Sequence, residues 1–127
     1  MGMYTELVLK CGIKEDIPDD VEVVLHYLFN NGISPSAAQL PPHPFFQTTR
    51  WAMVGRCSSY NHVPWACSQY YLNRIFSRSD LKNYDDEIAL FVDWLRPYID
   101  ECPEECIGWT WYEEDNAPTL IYAKSGD

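Results

Sequence analysis

Residues 4–32 read YTELVLKCGIKEDIPDDVEVVLHYLFNNG, and a change of period within this segment decides the fold class. Over residues 4–11 the chain alternates as a half-buried strand does, with its apolar side given by Leu7, Leu9 and Cys11. Asp16 and Pro18 then suit the start of a helix. Its apolar stripe has the helical period and comprises Ile17, Val21, Val24, Leu25 and Leu28. Residues 30–32, Asn-Asn-Gly, are a helix stop signal. A strand followed directly by an amphipathic helix indicates a sheet with helices packed on it.

The rest of the chain predicts four more strands and one more helix. Residues 33–49 hold four prolines and predict an irregular loop, anchored by Phe45 and Phe46. Residues 51–59 and 69–77 predict two strands joined by a loop. Asn83 is placed to cap a second helix, whose buried stripe is Ile88, Phe91, Val92 and Leu95 and which ends near Pro97. The last two strands are predicted over residues 107–113, with Trp109 and Trp111 on one side, and 119–123.

This order, β-α-β-β-α-β-β, predicts an α+β fold in a single domain over residues 1–127. The simplest layout is an antiparallel or mixed five-stranded sheet with both helices on one face. It would be a variant of the ferredoxin-like split β-α-β arrangement, with one extra edge strand.

Composition excludes several classes of protein. The 127 residues are 46 % hydrophobic and 22 % charged, which is typical of a globular domain and not of a disordered chain. No apolar run approaches the roughly 20 residues that span a bilayer, and the first residues lack the features of a secretory signal. We therefore expect a cytoplasmic protein without a membrane partner.

The cysteine pattern argues against disulfides and metals. Five cysteines are an odd number, in a chain long enough to fold without a disulfide framework. Cys102 and Cys106 are the only close pair, and no second pair of Cys or His accompanies them as a zinc site requires. We expect no metal and no cofactor.

Catalytic motifs are also missing from the sequence. It contains no phosphate-binding glycine loop, no dinucleotide fingerprint, no H-E-x-x-H and no nucleophile elbow. Cys57 with His62 or His43 is the one candidate for nucleophilic catalysis, and nothing in the sequence fixes their geometry. The sequence therefore favours a protein that is not an enzyme.

The basic residues of the middle segment form the sharpest pattern. Residues 32–79 contain four arginines and no Asp or Glu, in a chain of formal net charge −10. If residues 51–59 and 69–77 pair as a hairpin, Arg56 lies opposite Arg74. Guanidinium groups beside aromatic rings suit a nucleotide-like anion. This hypothesis assigns the ligand site to Arg50, Trp51, Arg56, Tyr60, Arg74 and Arg78. The alternative is that the arginines neutralise the domain's own acidic turns and stack on its own rings.

The last third of the chain is strongly acidic. Residues 80–127 carry thirteen acids against three basic residues. Such a charge repels nucleic acid, so we expect no direct nucleic-acid partner. A protein interface is predicted at Glu101, Glu104, Glu105, Glu113, Glu114 and Asp115, facing a basic partner. The alternative is that these acids only keep the protein soluble.

Several stretches together resemble a group of small uncharacterised proteins encoded by bacteriophages and prophages. These are YTEL at 4–7, LPPHPFF at 40–46, RW at 50–51, LKNYDDEI at 81–88, WLRPY at 94–98, YEE at 112–114 and PTLIY at 118–122. The resemblance implies a phage accessory protein in the cytoplasm of an infected bacterium, and it implies no catalytic residues.

The expected function combines these observations. A small acidic phage protein without catalytic motifs is expected to act by binding a host or phage protein, and to inhibit a host factor or a component of antiviral defence. The second hypothesis, of a different class, is a protein that sequesters a nucleotide-like anion with its arginines and aromatic rings.

Overall fold

Five strands form one antiparallel sheet in the computed structural model, which describes residues 4–56 and 68–124. The strands are β1 (Thr5–Gly12), β2 (Ser68–Tyr71), β3 (Arg74–Leu81), β4 (Cys106–Tyr112) and β5 (Thr119–Tyr122). The helices are α1 (Asp19–Asn30) and α2 (Glu87–Leu95), and short 3-10 helices lie at Ala37–Gln39, Pro44–Gln47, Trp51–Met53 and Arg96–Tyr98. The expected α+β class, with a five-stranded antiparallel sheet and two helices, is confirmed.

The sheet order is β2-β3-β1-β4-β5, so β1 lies in the middle. Each helix connects two strands that have a third strand between them: α1 joins β1 to β2, and α2 joins β3 to β4. Both helices lie on the same side of the sheet, since the rings of Phe29 in α1 and Phe91 in α2 are 6.0 Å apart. That side of the sheet forms the core.

β1 shows why its alternation decides the fold. Leu7, Leu9 and Cys11 are fully buried under the helices. β4 approaches β1 so closely at Gly108 that a Cβ there would come within 2.0 Å of the Val8 carbonyl oxygen. Only glycine fits this crossing, and the two strands pair tightly as a result.

The ends of the helices agree with most of the predicted signals. Pro18, and not the predicted Asp16, is the residue that precedes α1. After α1 the backbone turns left-handed at Asn31, and the Gly32 N–H donates to the His26 carbonyl at 3.0 Å. The residue that precedes α2 is Asp86, but the predicted Asn83 supplies the capping hydrogen bond, since its side-chain oxygen accepts from the Ile88 N–H at 2.9 Å.

The predicted strand over residues 51–59 is wrong where the structure describes it. Trp51–Met53 is a 3-10 helix, and a turn follows as far as Arg56. Gly55 has a φ of +77°, and a Cβ there would collide with the ring of Phe29. The segment therefore packs against the helices instead of entering the sheet, and residues 57–59 lie outside the described part.

The predicted strand over residues 69–77 is in fact a hairpin. β2 and β3 pair directly, with Tyr71 opposite Arg74. The two residues between them, Leu72 and Asn73, both have positive φ, at 49° and 58°. This is the backbone of a type I′ turn, which matches the twist of the flanking strands.

Among the described residues, no helix is both long and apolar enough to cross a lipid bilayer.

Candidate functional site

Arg50 lies on the helical side of the sheet, against a buried carboxylate. Its backbone N–H donates to Glu87 Oε2 at 3.1 Å, and its guanidinium lies 3.6 Å from the same oxygen. Glu87 is fully buried, and its other oxygen accepts a hydrogen bond from the Asp85 N–H. The Arg50 guanidinium also lies over the ring of Tyr84, 5.0 Å from its centre. Arg50 thus ties the end of the proline-rich loop, residues 33–49, to the start of α2.

Arg56 and Trp51 belong to the same helical layer. The Arg56 guanidinium lies 4.3 Å above the ring centre of Tyr27 and donates to the side-chain oxygen of Asn31 at 2.7 Å. The ring of Trp51 contacts that of Tyr27 and the predicted anchors Phe45 and Phe46. Tyr60 lies outside the described residues.

Arg74 and Arg78 lie on the opposite side of the sheet. Both point from β3 to the face that the helices leave free. Arg78 Nε lies 2.8 Å from Glu6 Oε2, and Arg74 Nη2 lies 3.8 Å from Glu101 Oε2. The predicted placement of Arg56 opposite Arg74 is wrong, because Tyr71 occupies that position. The structure therefore separates the four arginines into two pairs on opposite sides of the sheet, and the hypothesis of an anion ligand stays a prediction.

The free face of the sheet carries large apolar side chains. Phe76 is 58 % exposed, Leu120 51 %, Tyr122 42 % and Trp111 40 %. Trp109 is half-buried beside them, on the same side as Trp111 as the sequence predicts. We call this surface the open face and define it by Val8, Phe76, Trp109, Trp111, Leu120 and Tyr122.

The strand register makes the open face continuous. Arg78, Val8, Trp109 and Leu120 form one row across β3, β1, β4 and β5. Phe76 pairs with Lys10 in the next row. Neighbouring strands lie about 4.8 Å apart, so side chains in one row contact each other. The face is a single surface in which aromatic and aliphatic groups lie beside Arg78 and Lys10.

The sequence analysis did not identify the open face, although a signal for it exists. Two helices were expected to cover one side of a five-stranded sheet. The apolar residues of the opposite parity, such as Trp109, Trp111, Leu120 and Tyr122, then have nothing to cover them. That combination predicts an exposed apolar surface.

The acids predicted as one interface lie in two clusters. Glu101, Glu104 and Glu105 precede β4, whereas Glu113, Glu114 and Asp115 follow it. The seven residues of β4 separate the two clusters by about 20 Å. Glu101 and Glu113 bind backbone N–H groups, those of Gly12 and Tyr4 respectively. Glu101 is partly buried, and the other five acids are exposed. We call the two sets the first and second acidic clusters; they lie at opposite ends of the open face.

The residues considered for catalysis or metal binding do not form a site among the described residues. His43 Nε2 lies 2.9 Å from Asp93 Oδ2, and its Nδ1 accepts a hydrogen bond from the Phe45 N–H. Cys57 and His62 lie outside the described part of the chain. No group of three or more His, Cys, Asp or Glu residues that could hold a metal ion is found in residues 4–56 and 68–124.

Cys11 has a strongly shifted pKa. Burial, assisted by the negative charge of Glu101, raises the pKa of the Cys11 thiol to about 12, although Arg74 acts in the opposite direction. A neutral buried thiol is a poor nucleophile and a poor metal ligand. Cys11 is therefore a core residue.

No protein-family model, no curated protein and no solved structure matches the chain. The ferredoxin-like description and the resemblance to phage proteins accordingly stay predictions.

Proposed function

We propose that this protein acts by binding another protein through its open face, without chemistry of its own. In keeping with its resemblance to phage proteins, the partner is a host factor or a component of antiviral defence in the bacterial cytoplasm. The open face is the observation that carries the proposal, because the largest exposed apolar patch of a protein is often a binding surface.

The size of the open face suits a protein partner. Five strands about 4.8 Å apart, rising about 3.3 Å per residue, give a surface on the order of 500 Å². A stable protein interface buries about 800 Å² on each partner. A partner that covers the open face therefore also extends over its ends, where the acidic clusters lie.

The charges of the open face indicate the chemistry of that partner. Its two arginines are each paired with a glutamate of the same chain. Lys10 and Asp80 lie on the same side of the sheet and carry opposite charges, so the centre of the face is close to neutral, while both ends are acidic. A matching partner has an apolar patch bordered by lysines or arginines. A nucleic acid does not match, because its phosphates would lie against two carboxylate clusters in a chain of net charge −10.

Retention of bacterial proteins by the immobilised protein tests the proposal. The variant Phe76→Glu with Trp111→Glu places two charges in the open face. The matched control, Val23→Glu with Ile33→Glu, changes two exposed apolar residues outside the sheet. We expect the first variant to retain at least about tenfold less bacterial protein than the wild type does. The control should retain as much as the wild type. Equal retention by both variants contradicts the proposal.

A further inference from the structure

The two edges of the sheet differ in how they are closed. At the β2 edge, the side chain of Asn30 donates to the Tyr70 carbonyl at 2.7 Å and accepts from the Tyr70 N–H at 2.8 Å. Its carboxamide thus takes the place of a neighbouring strand. Exposed strand edges invite pairing with other chains, and this contact blocks it on one side.

The β5 edge carries backbone groups that point outward. The Ala123 N–H donates to the Glu105 carbonyl, toward β4. Backbone groups alternate in direction along a strand, so Leu120 and Tyr122 turn theirs away from β4. Arg96 confirms the direction and occupies one of these groups, since its Nη2 donates to the Tyr122 carbonyl at 3.3 Å from the helical side. The Leu120 N–H and C=O therefore lie at the edge, and the Leu120 side chain is half exposed.

A groove runs beside this edge on the helical side. It has a volume of about 310 Å³ and lies between α2 and β5. Its walls include Ile88 and Val92 of α2, Arg96 of the following 3-10 helix, and Thr110, Leu120 and Ile121 of the sheet. A strand added to β5 would place alternate side chains over this groove and over the open face.

The acidic clusters determine what can pair with β5. The β4–β5 turn brings the second cluster to the start of β5, and Glu105 binds the backbone just after its end. Two copies of the chain paired along β5 would set these acids against each other, at a net charge of −10 per chain. Self-pairing is therefore disfavoured, whereas a strand with basic ends is attracted.

We infer that β5 accepts an extended segment of the partner protein as a sixth strand. The segment has alternating apolar residues in its middle and lysines or arginines at both ends. The inference rests on the proposed function in that the partner is a protein, but it concerns the edge of the sheet and not the open face.

The test uses a synthetic peptide of alternating valine and threonine with lysines at both ends, titrated by calorimetry. Leu120→Pro removes the outward N–H of Leu120, and edge strands tolerate such a proline. Leu120→Ala shortens the same side chain but keeps the N–H. We expect Leu120→Pro to bind the peptide at least about tenfold more weakly than Leu120→Ala, and glutamates in place of the lysines to abolish binding.

If Leu120→Pro does not fold, amide hydrogen exchange of the wild type, measured with and without the peptide, provides the test. The peptide should slow exchange at the Leu120 and Tyr122 amides. The inference is overturned if the peptide does not bind, if both Leu120 variants bind equally, or if those amides stay unprotected. If Phe76→Glu with Trp111→Glu abolishes retention of bacterial proteins but the wild type does not bind the peptide, the proposed function stands and only this inference fails.

Discussion

Asn30 pairs with Tyr70 as one strand pairs with another, donating to its carbonyl at 2.7 Å and accepting from its N–H at 2.8 Å. Asn30 is the last residue of α1, and Tyr70 lies in the edge strand β2. The end of the helix therefore closes the edge of the sheet. This contact also fixes α1 relative to β2 and gives the sheet one closed edge.

Replacing Asn30 by Ala removes both hydrogen bonds and leaves the Tyr70 backbone groups without these partners. We expect a loss of about 1–3 kcal/mol in the free energy of unfolding, measured with urea. The exposed edge should also increase self-association in sedimentation. Asn116→Ala, in an exposed turn, is the matched control and should change neither quantity. An unchanged unfolding midpoint for Asn30→Ala would show that the contact does not stabilise the domain.

Glu87 holds the proline-rich loop onto α2. Replacing it by Ala leaves the Arg50 guanidinium and two backbone N–H groups without their acceptor. Breaking a buried charged pair on one side costs about 3–5 kcal/mol, and we expect the lower part of that range because Arg50 is partly exposed. Glu104→Ala, at an exposed acid, should leave urea unfolding unchanged. Similar unfolding curves for the two variants would contradict this role of Glu87.

Cys11 should lower the stability of the domain in alkaline solution. Its pKa is raised from 9.0 to about 12 in the folded protein, so the unfolded chain loses its proton first. Its contribution is complete below pH 9 and is lost as the pH rises toward 12. We expect the free energy of unfolding to fall more steeply above pH 9 in the wild type than in Cys11→Ala. Parallel curves for the two proteins would show that folding does not raise the pKa of the Cys11 thiol.

Most of the fold could be predicted because the helices and β1 have a clear period. The β2–β3 hairpin could not, since its turn is Leu72-Asn73 and lacks the glycine that usually marks a type I′ turn. Without that signal, residues 69–77 have the pattern of one continuous strand. The missed turn also moved the expected partner strand to residues 51–59.

The candidate site was predicted less well, for a related reason. The arginine site depended on residues 51–59 forming a strand, and the described part of that segment packs against Phe29, Phe45 and Phe46 instead. The acids were expected on one surface, but β4 carries the chain across the sheet between them. The spacing of charges along a sequence does not show which end of a strand they occupy.

The acidic clusters should speed association with a basic partner more than they strengthen the complex. Glu104→Lys with Glu114→Lys reverses one exposed acid in each cluster, and Asp19→Lys with Glu22→Lys makes the same change in charge on α1. We expect the first variant alone to bind a retained partner with a slower association rate in surface plasmon resonance. The wild-type rate should also fall with salt, because the Debye length shortens from about 10 Å at 0.1 M to about 3 Å at 1 M. Equal association rates for both variants would show that the acidic clusters serve solubility and not partner binding.

Oxidative footprinting in bacterial lysate tests the open face most directly, because it needs no substitution. Hydroxyl radicals label exposed aromatic side chains, and mass spectrometry compares their labelling in the purified protein and in the lysate complex. We expect Phe76, Trp111 and Tyr122 to be protected in the complex. Met53, which also reacts with hydroxyl radicals and is 46 % exposed in the 3-10 helix Trp51–Met53, should be labelled equally in both states. Unchanged labelling of Phe76, Trp111 and Tyr122 in a complex that protects other residues would contradict the account.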